Sequence, residues 1–86
     1  MIFNIGKKCC DTQLARILAQ YDNFLLPSDP RYIFHAAMKE NGQYFILTVG
    51  NSESEKPGTW VTPASKQEIA QWIEDHKEDI EREFII

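Results

Sequence analysis

The most legible hydrophobic pattern runs from Arg31 to Gly50, in two largely apolar arms on either side of Asn41-Gly42. Asn-Gly tolerates the positive φ angles of a two-residue type I′ turn, so the two arms are predicted to form a tight β-hairpin. That turn sets Met38 opposite Phe45, Ala36 opposite Leu47 and Phe34 opposite Val49. One face of the pair is then wholly apolar, as a half-buried sheet requires. The second face carries Ile33, His35, Ala37, Lys39, Tyr44, Ile46 and Thr48. It is too apolar for a wetted surface and too mixed for a second core.

Either side of the hairpin the period changes. Leu14, Ile17, Leu18 and Tyr21 fall at i, i+3, i+4 and i+7, which predicts a first helix with Asp11 as N-cap, ending at Tyr21 or Asp22. Pro27 and Pro30 break the chain before the hairpin, and residues 51–58 form a polar loop. A short third strand over 59–62 follows. Ser65 and Glu68 have capping-box spacing, and beyond them Ile69, Trp72, Ile73, His76, Ile80 and Phe84 gather on one arc of a C-terminal helix. The predicted order is α-β-β-β-α. It implies a two-layer α+β sandwich with a three-stranded antiparallel sheet, both helices on one face, and room for a short strand at the N-terminus.

The double-stranded RNA-binding domain has the same order, but it grips phosphates with basic residues at the start of its last helix. Here residues 64–68 offer one lysine beside an acid, so topology alone assigns no family. Charge points the same way. The net −4 is confined to residues 63–86, where seven acids face three bases, while residues 1–62 balance six against six. Direct binding to nucleic acid, which rests on basic surface, is not expected.

With 86 residues, 43% hydrophobic and 26% charged, the chain suits one globular domain over 1–86. No apolar run reaches membrane-spanning length, and Lys7-Lys8 fall on the wrong side of the N-terminal apolar stretch for a secretory signal. A cytoplasmic location is expected. Cys9 and Cys10 are adjacent, so they make no disulfide framework and no C-x-x-C motif.

Few residues suggest chemistry. His76, amid apolar neighbours on the last helix, reads as a core histidine unless a partner acid faces it. His35 and His76 lack the closely spaced second ligand that zinc sites use, so no metal or other cofactor is expected. A nucleophilic Cys9 or Cys10, activated by Lys7-Lys8 and the start of the first helix, lacks an identifiable base. Phosphate-binding and serine-nucleophile motifs are absent from the sequence.

The expectation is therefore a non-enzymatic regulator or inhibitor that binds another protein, of prokaryotic or phage style in its size and acidity. Its contact residues are Ile33, His35, Tyr44, Ile46 and Trp60 on the hairpin side, with Asp75 and Asp79 on an acidic helix stripe. The N-terminal segment 2–5 is the competing cover for the hairpin's second face. Two alternatives stand beside this reading: an acidic inhibitor in the basic cleft of a nucleic-acid-handling protein, and a thiol-dependent enzyme or redox sensor. A homodimer is left open.

Overall fold

The computed structural model describes residues 1–82. Six strands, β1 (Ile2–Ile5), β2 (Lys8–Asp11), β3 (Arg16–Asp22), β4 (Ile33–Glu40), β5 (Gln43–Gly50) and β6 (Gly58–Ala64), precede helices α1 (Lys66–Asp75) and α2 (Lys77–Arg82). Strands β3-β4-β5-β6 form an antiparallel meander, and β1-β2 pair as a separate two-stranded sheet. This overturns the α-β-β-β-α sandwich with its three-stranded sheet. The chain is mostly sheet, and its helices are confined to the C-terminal segment. Among the described residues no helix is long and apolar enough to cross a membrane.

The hairpin has the expected register, with Met38 paired to Phe45, Ala36 to Leu47 and Phe34 to Val49. Asn41 (φ 50°) and Gly42 (φ 74°) hold the two left-handed positions of the turn. The predicted first helix is instead strand β3. Strand β4 is apolar on both faces, so an unpaired edge along it would leave buried backbone N–H and C=O groups without partners. Arg16–Asp22 supplies that edge. A register irregularity between Ile17 and Ala19 interrupts strict alternation, which is why helical spacing and a bulged strand fit the same residues.

The layers are also exchanged. Ala36, Met38, Phe45 and Leu47 form the buried cluster on the apolar face, covered by Phe3 and Ile5 of β1 together with Ala15. Phe3 meets Phe45 edge-on, with ring centroids 4.8 Å apart. The N-terminal segment thus covers the hairpin's first face, not its second. The second face is covered in part by the C-terminal helices, where Trp72 and His76 pack on Tyr21 of β3, the pairing partner of His35. Ile69 is buried there at 3% exposure. The result is three layers: a small hairpin, the four-stranded sheet and the helices.

The capping box forms as its spacing predicts. Ser65 Oγ accepts the Glu68 N–H at 3.1 Å, and Glu68 Oε1 accepts the Ser65 N–H at 3.0 Å. Pro63, expected at the helix entrance, lies in β6, an edge strand with one free backbone side. The helical arc does not run straight through. It breaks at His76 (φ −112°, ψ 18°) and resumes in α2. Phe84, the last residue of the predicted arc, lies outside the described residues.

A Cβ at Gly42 would meet no atom within 4 Å, so a side chain there is resisted by its φ of +74° alone. Gly42→Val should therefore lower unfolding free energy by about 1–3 kcal/mol, the scale of a strained backbone site. Phe45→Ala, at a fully buried ring, should cost about 3–5 kcal/mol. Urea titrations check both, and an unchanged midpoint for Gly42→Val would contradict the turn geometry.

Candidate functional site

Two loops meet at the end of the sheet opposite the Asn41-Gly42 turn. Residues 23–32 join β3 to β4, and residues 51–57 join β5 to β6. Asn51 ties them together. Its Nδ2 donates to Pro27 O at 2.9 Å and to Asp29 O at 2.7 Å, while its N–H donates to Tyr32 O at 2.9 Å. The Glu53 N–H adds a bond to Pro30 O at 2.8 Å. Within the first loop, Asn23 Nδ2 donates to Arg31 O at 2.9 Å, and Asp29 pairs with Arg31. That guanidinium, through hydrogen bonding, holds the Asp29 carboxyl below its ordinary pKa.

Despite this pinning, the first loop turns apolar side chains outward. Phe24 is 50% exposed and Leu26 is 73% exposed. Phe24 also has φ 62°, a left-handed conformation that side chains larger than glycine or asparagine rarely adopt. Asp22 Oδ1 holds it by accepting the Phe24 N–H at 2.8 Å, and the Arg82 guanidinium of α2 lies 5.3 Å from its ring centroid. The second loop is equally confined. A Cβ at Gly50 would collide with Lys56 O and Ser54 Oγ, so only glycine lets the loop fold back onto β5.

Beneath the helices, Tyr21 stacks between two histidines. Ring centroids are 4.9 Å apart for both Tyr21–His35 and Tyr21–His76, and Trp72 lies 5.5 Å from Tyr21. His35 Nδ1 is 3.1 Å from Thr48 Oγ1, its expected cross-strand partner. Burial, then the nearby His76, lowers the His35 pKa from its ordinary 6.5. Burial, then the carboxylates of Asp79 and Glu55, raises that of Tyr21. A groove of about 320 Å³ opens beside this stack, between Ile46 and residues 62–64 on one side and Glu68, Gln71, Trp72 and Asp75 on the other.

The expected contact residues are dispersed by this arrangement. Ile33 is buried at 7% exposure and offers little surface to a partner. His35 is half-buried in the stack. Tyr44 is partly buried beneath Lys39, whose Nζ lies 5.1 Å from the ring centroid. Trp60 stays 47% exposed, with Nε1 donating to Pro57 O at 2.8 Å and Lys56 Nζ 4.8 Å from its ring centroid. Ile46 and Asp75, read from sequence as members of separate surfaces, line one groove. Asp79 is not an unpartnered stripe acid, since Arg82 approaches it at 3.5 Å. Phe24 and Leu26 escaped sequence reasoning, although two leucines in a proline-flanked connection are a detectable anomaly.

The thiols lie in the opposite layer, in strand β2 with no helix start beside them. Cys10 is fully buried with Sγ 3.6 Å from Glu40 O, and burial followed by the Glu40 charge pushes its thiol pKa up. That disfavours the thiolate. Cys9 is exposed, and its carbonyl accepts Asn41 Nδ2 at 3.0 Å. Comparison of the chain with protein-family models, curated proteins and solved structures finds no match.

The depressed His35 pKa has a defined sign. Below about pH 6.5 the unfolded chain takes up a proton that the folded ring resists, so the stability is complete above pH 6.5 and is lost as pH falls. Melting midpoints should drop on acidification from that point, and His35→Gln should flatten the drop. Gly50→Ala should loosen the 51–57 loop, seen as faster amide exchange at Ser54 while β4 stays protected.

Proposed function

We propose that this protein acts by binding another protein, and that the contact is made by the end of the sheet carrying the 23–32 and 51–57 loops. One observation carries the reading: Phe24, an aromatic residue in a left-handed conformation, stands half-exposed in a loop otherwise fixed by hydrogen bonds. Left-handed backbone costs roughly 1–2 kcal/mol at a residue with a Cβ. Half of the residue stays exposed, and Arg82 lies over the ring. Strain kept at an exposed aromatic is what a recognition loop requires.

Leu26 supports the same assignment. It is the second most exposed of the large hydrophobic residues among those described, and it sits two positions from Phe24 while partly buried Leu25 anchors the segment between them. A loop held in its binding shape forfeits less entropy on association than a mobile one. Held by hydrogen bonds and exposing Phe24 and Leu26, it suits a partner with an apolar cleft.

The test pairs two variants with a benzophenone photocrosslinker placed at Ser28, used in the cells that express the protein. Leu26→Asp should leave the melting midpoint within the range of surface changes, about 0.5 kcal/mol, and weaken the captured complex by about 2 kcal/mol or more. Phe24→Gly should hold or raise stability through relief of the positive φ while also weakening capture. Capture of the same partner at full strength by both variants would refute the assignment.

A further inference from the structure

The geometry points to the groove between β6 and α1 as a receptor for an arginine side chain of a partner protein. This goes beyond the reading of the loop end and does not depend on it. Glu68, Trp72 and Asp75 recur at i, i+4 and i+7 on α1, so an indole stands between two carboxylates on one helix face. Seven residues of helix separate those acids by about 10 Å. Ile46 and Pro63 line the sheet side. Among the groove's lining residues there is no lysine or arginine, so its charge is uncompensated from within.

Each carboxylate has one oxygen engaged and one available. Glu68 Oε1 accepts the Ser65 N–H at 3.0 Å, and Asp75 Oδ1 accepts Gln71 Nε2 at 2.7 Å. These bonds orient the two groups and leave Oε2 and Oδ2 without a bond among the described residues. Trp72 is packed against Tyr21 at 5.5 Å and His76 at 5.1 Å and also lines the groove. A guanidinium meets all of these features at once. It is planar and weakly hydrated, so it stacks on an indole, and its forked N–H groups reach a carboxylate from that position. Lysine offers the charge without the plane, and citrulline offers the plane without the charge.

The probe is the capped peptide Gly-Gly-Arg-Gly-Gly, titrated into the full chain carrying Trp60→Phe so that Trp72 alone reports fluorescence. Saturable change in Trp72 emission, with amide shifts confined to residues 44–46, 62–64 and 68–76, is the expected result. The citrulline peptide should bind at least about tenfold more weakly, and the lysine peptide severalfold more weakly. Glu68→Gln with Asp75→Asn removes both charges yet retains the capping box and the Gln71 contact, so affinity should fall about tenfold without loss of fold. Equal binding of arginine and citrulline peptides would overturn the proposal. So would unchanged affinity in the double variant, shifts mapping outside the groove, or no saturation below about 10 mM. Because no cellular partner enters this titration, its failure leaves the loop assignment standing, and failure of the crosslinking test leaves the groove standing.

Discussion

The eight-pair ladder between β4 and β5 is the constraint around which everything else is arranged. Ala36 and Ala37 are both 0% exposed and, as neighbours in a strand, point to opposite faces. A sheet whose central strand is buried on both sides requires two covering layers and two flanking strands. The remaining chain supplies them in sequence: β1-β2 for one face, β3 and β6 for the edges, and α1-α2 for the other face. The small alanine side chains matter here. They let Phe3 and Phe45 fill the space on one side, while larger groups at their positions would lift the covering layers away from the sheet.

The helical cover is joined to the sheet through a set of rings. Tyr21, His35, Trp72 and His76 form a continuous stack from strand to helix, and Ile69 is the buried aliphatic residue of α1. Tyr21 is followed at once by Asp22, whose carboxylate fixes Phe24, and Arg82 at the end of α2 covers the Phe24 ring. Docking of the helices and shape of the 23–32 loop are thus mechanically joined. A neutral His35 serves that joint, since charge in the stack would oppose burial of the same rings.

Sequence reasoning reached the parts of this fold whose signals are local and redundant. The hairpin register followed from Asn41-Gly42 and the wholly apolar face it creates, and the start of α1 from Ser65 and Glu68. It failed where one spacing served two structures. Leu14, Ile17, Leu18 and Tyr21 lie on a helical stripe, yet the bulge near Leu18 lets Ile17 and Tyr21 face opposite sides of β3. The β1-β2 hairpin turns on Gly6 at φ 59°, where the sequence reading left room for a short N-terminal strand but not for its partner over Lys8–Asp11. The mixed face reads from sequence as a contact surface for a partner, with the N-terminal segment as the competing cover, whereas Trp72 and His76 of the C-terminal helices pack there. Only long-range packing decides that α1 supplies the cover while the N-terminal segment goes to the opposite side.

For the candidate site the same limit applies in a sharper form. Ile46 and Asp75 were each conspicuous, one as an apolar residue on a mixed face and the other as part of an acidic helix stripe. Their meeting in one groove depends on how α1 crosses β6, which no periodicity encodes. The 23–32 loop was legible only as a helix breaker, because Pro27 and Pro30 dominate its local signal. What distinguishes it from an ordinary connection is the Asn51 clamp, contributed from more than twenty residues away. Preorganisation is a tertiary property. A small domain has on the order of 5–10 kcal/mol to hold its fold, so a strained, exposed aromatic survives only where several distant bonds fix it. Those bonds, more than the identity of the loop residues themselves, are what hold the loop end in its one shape.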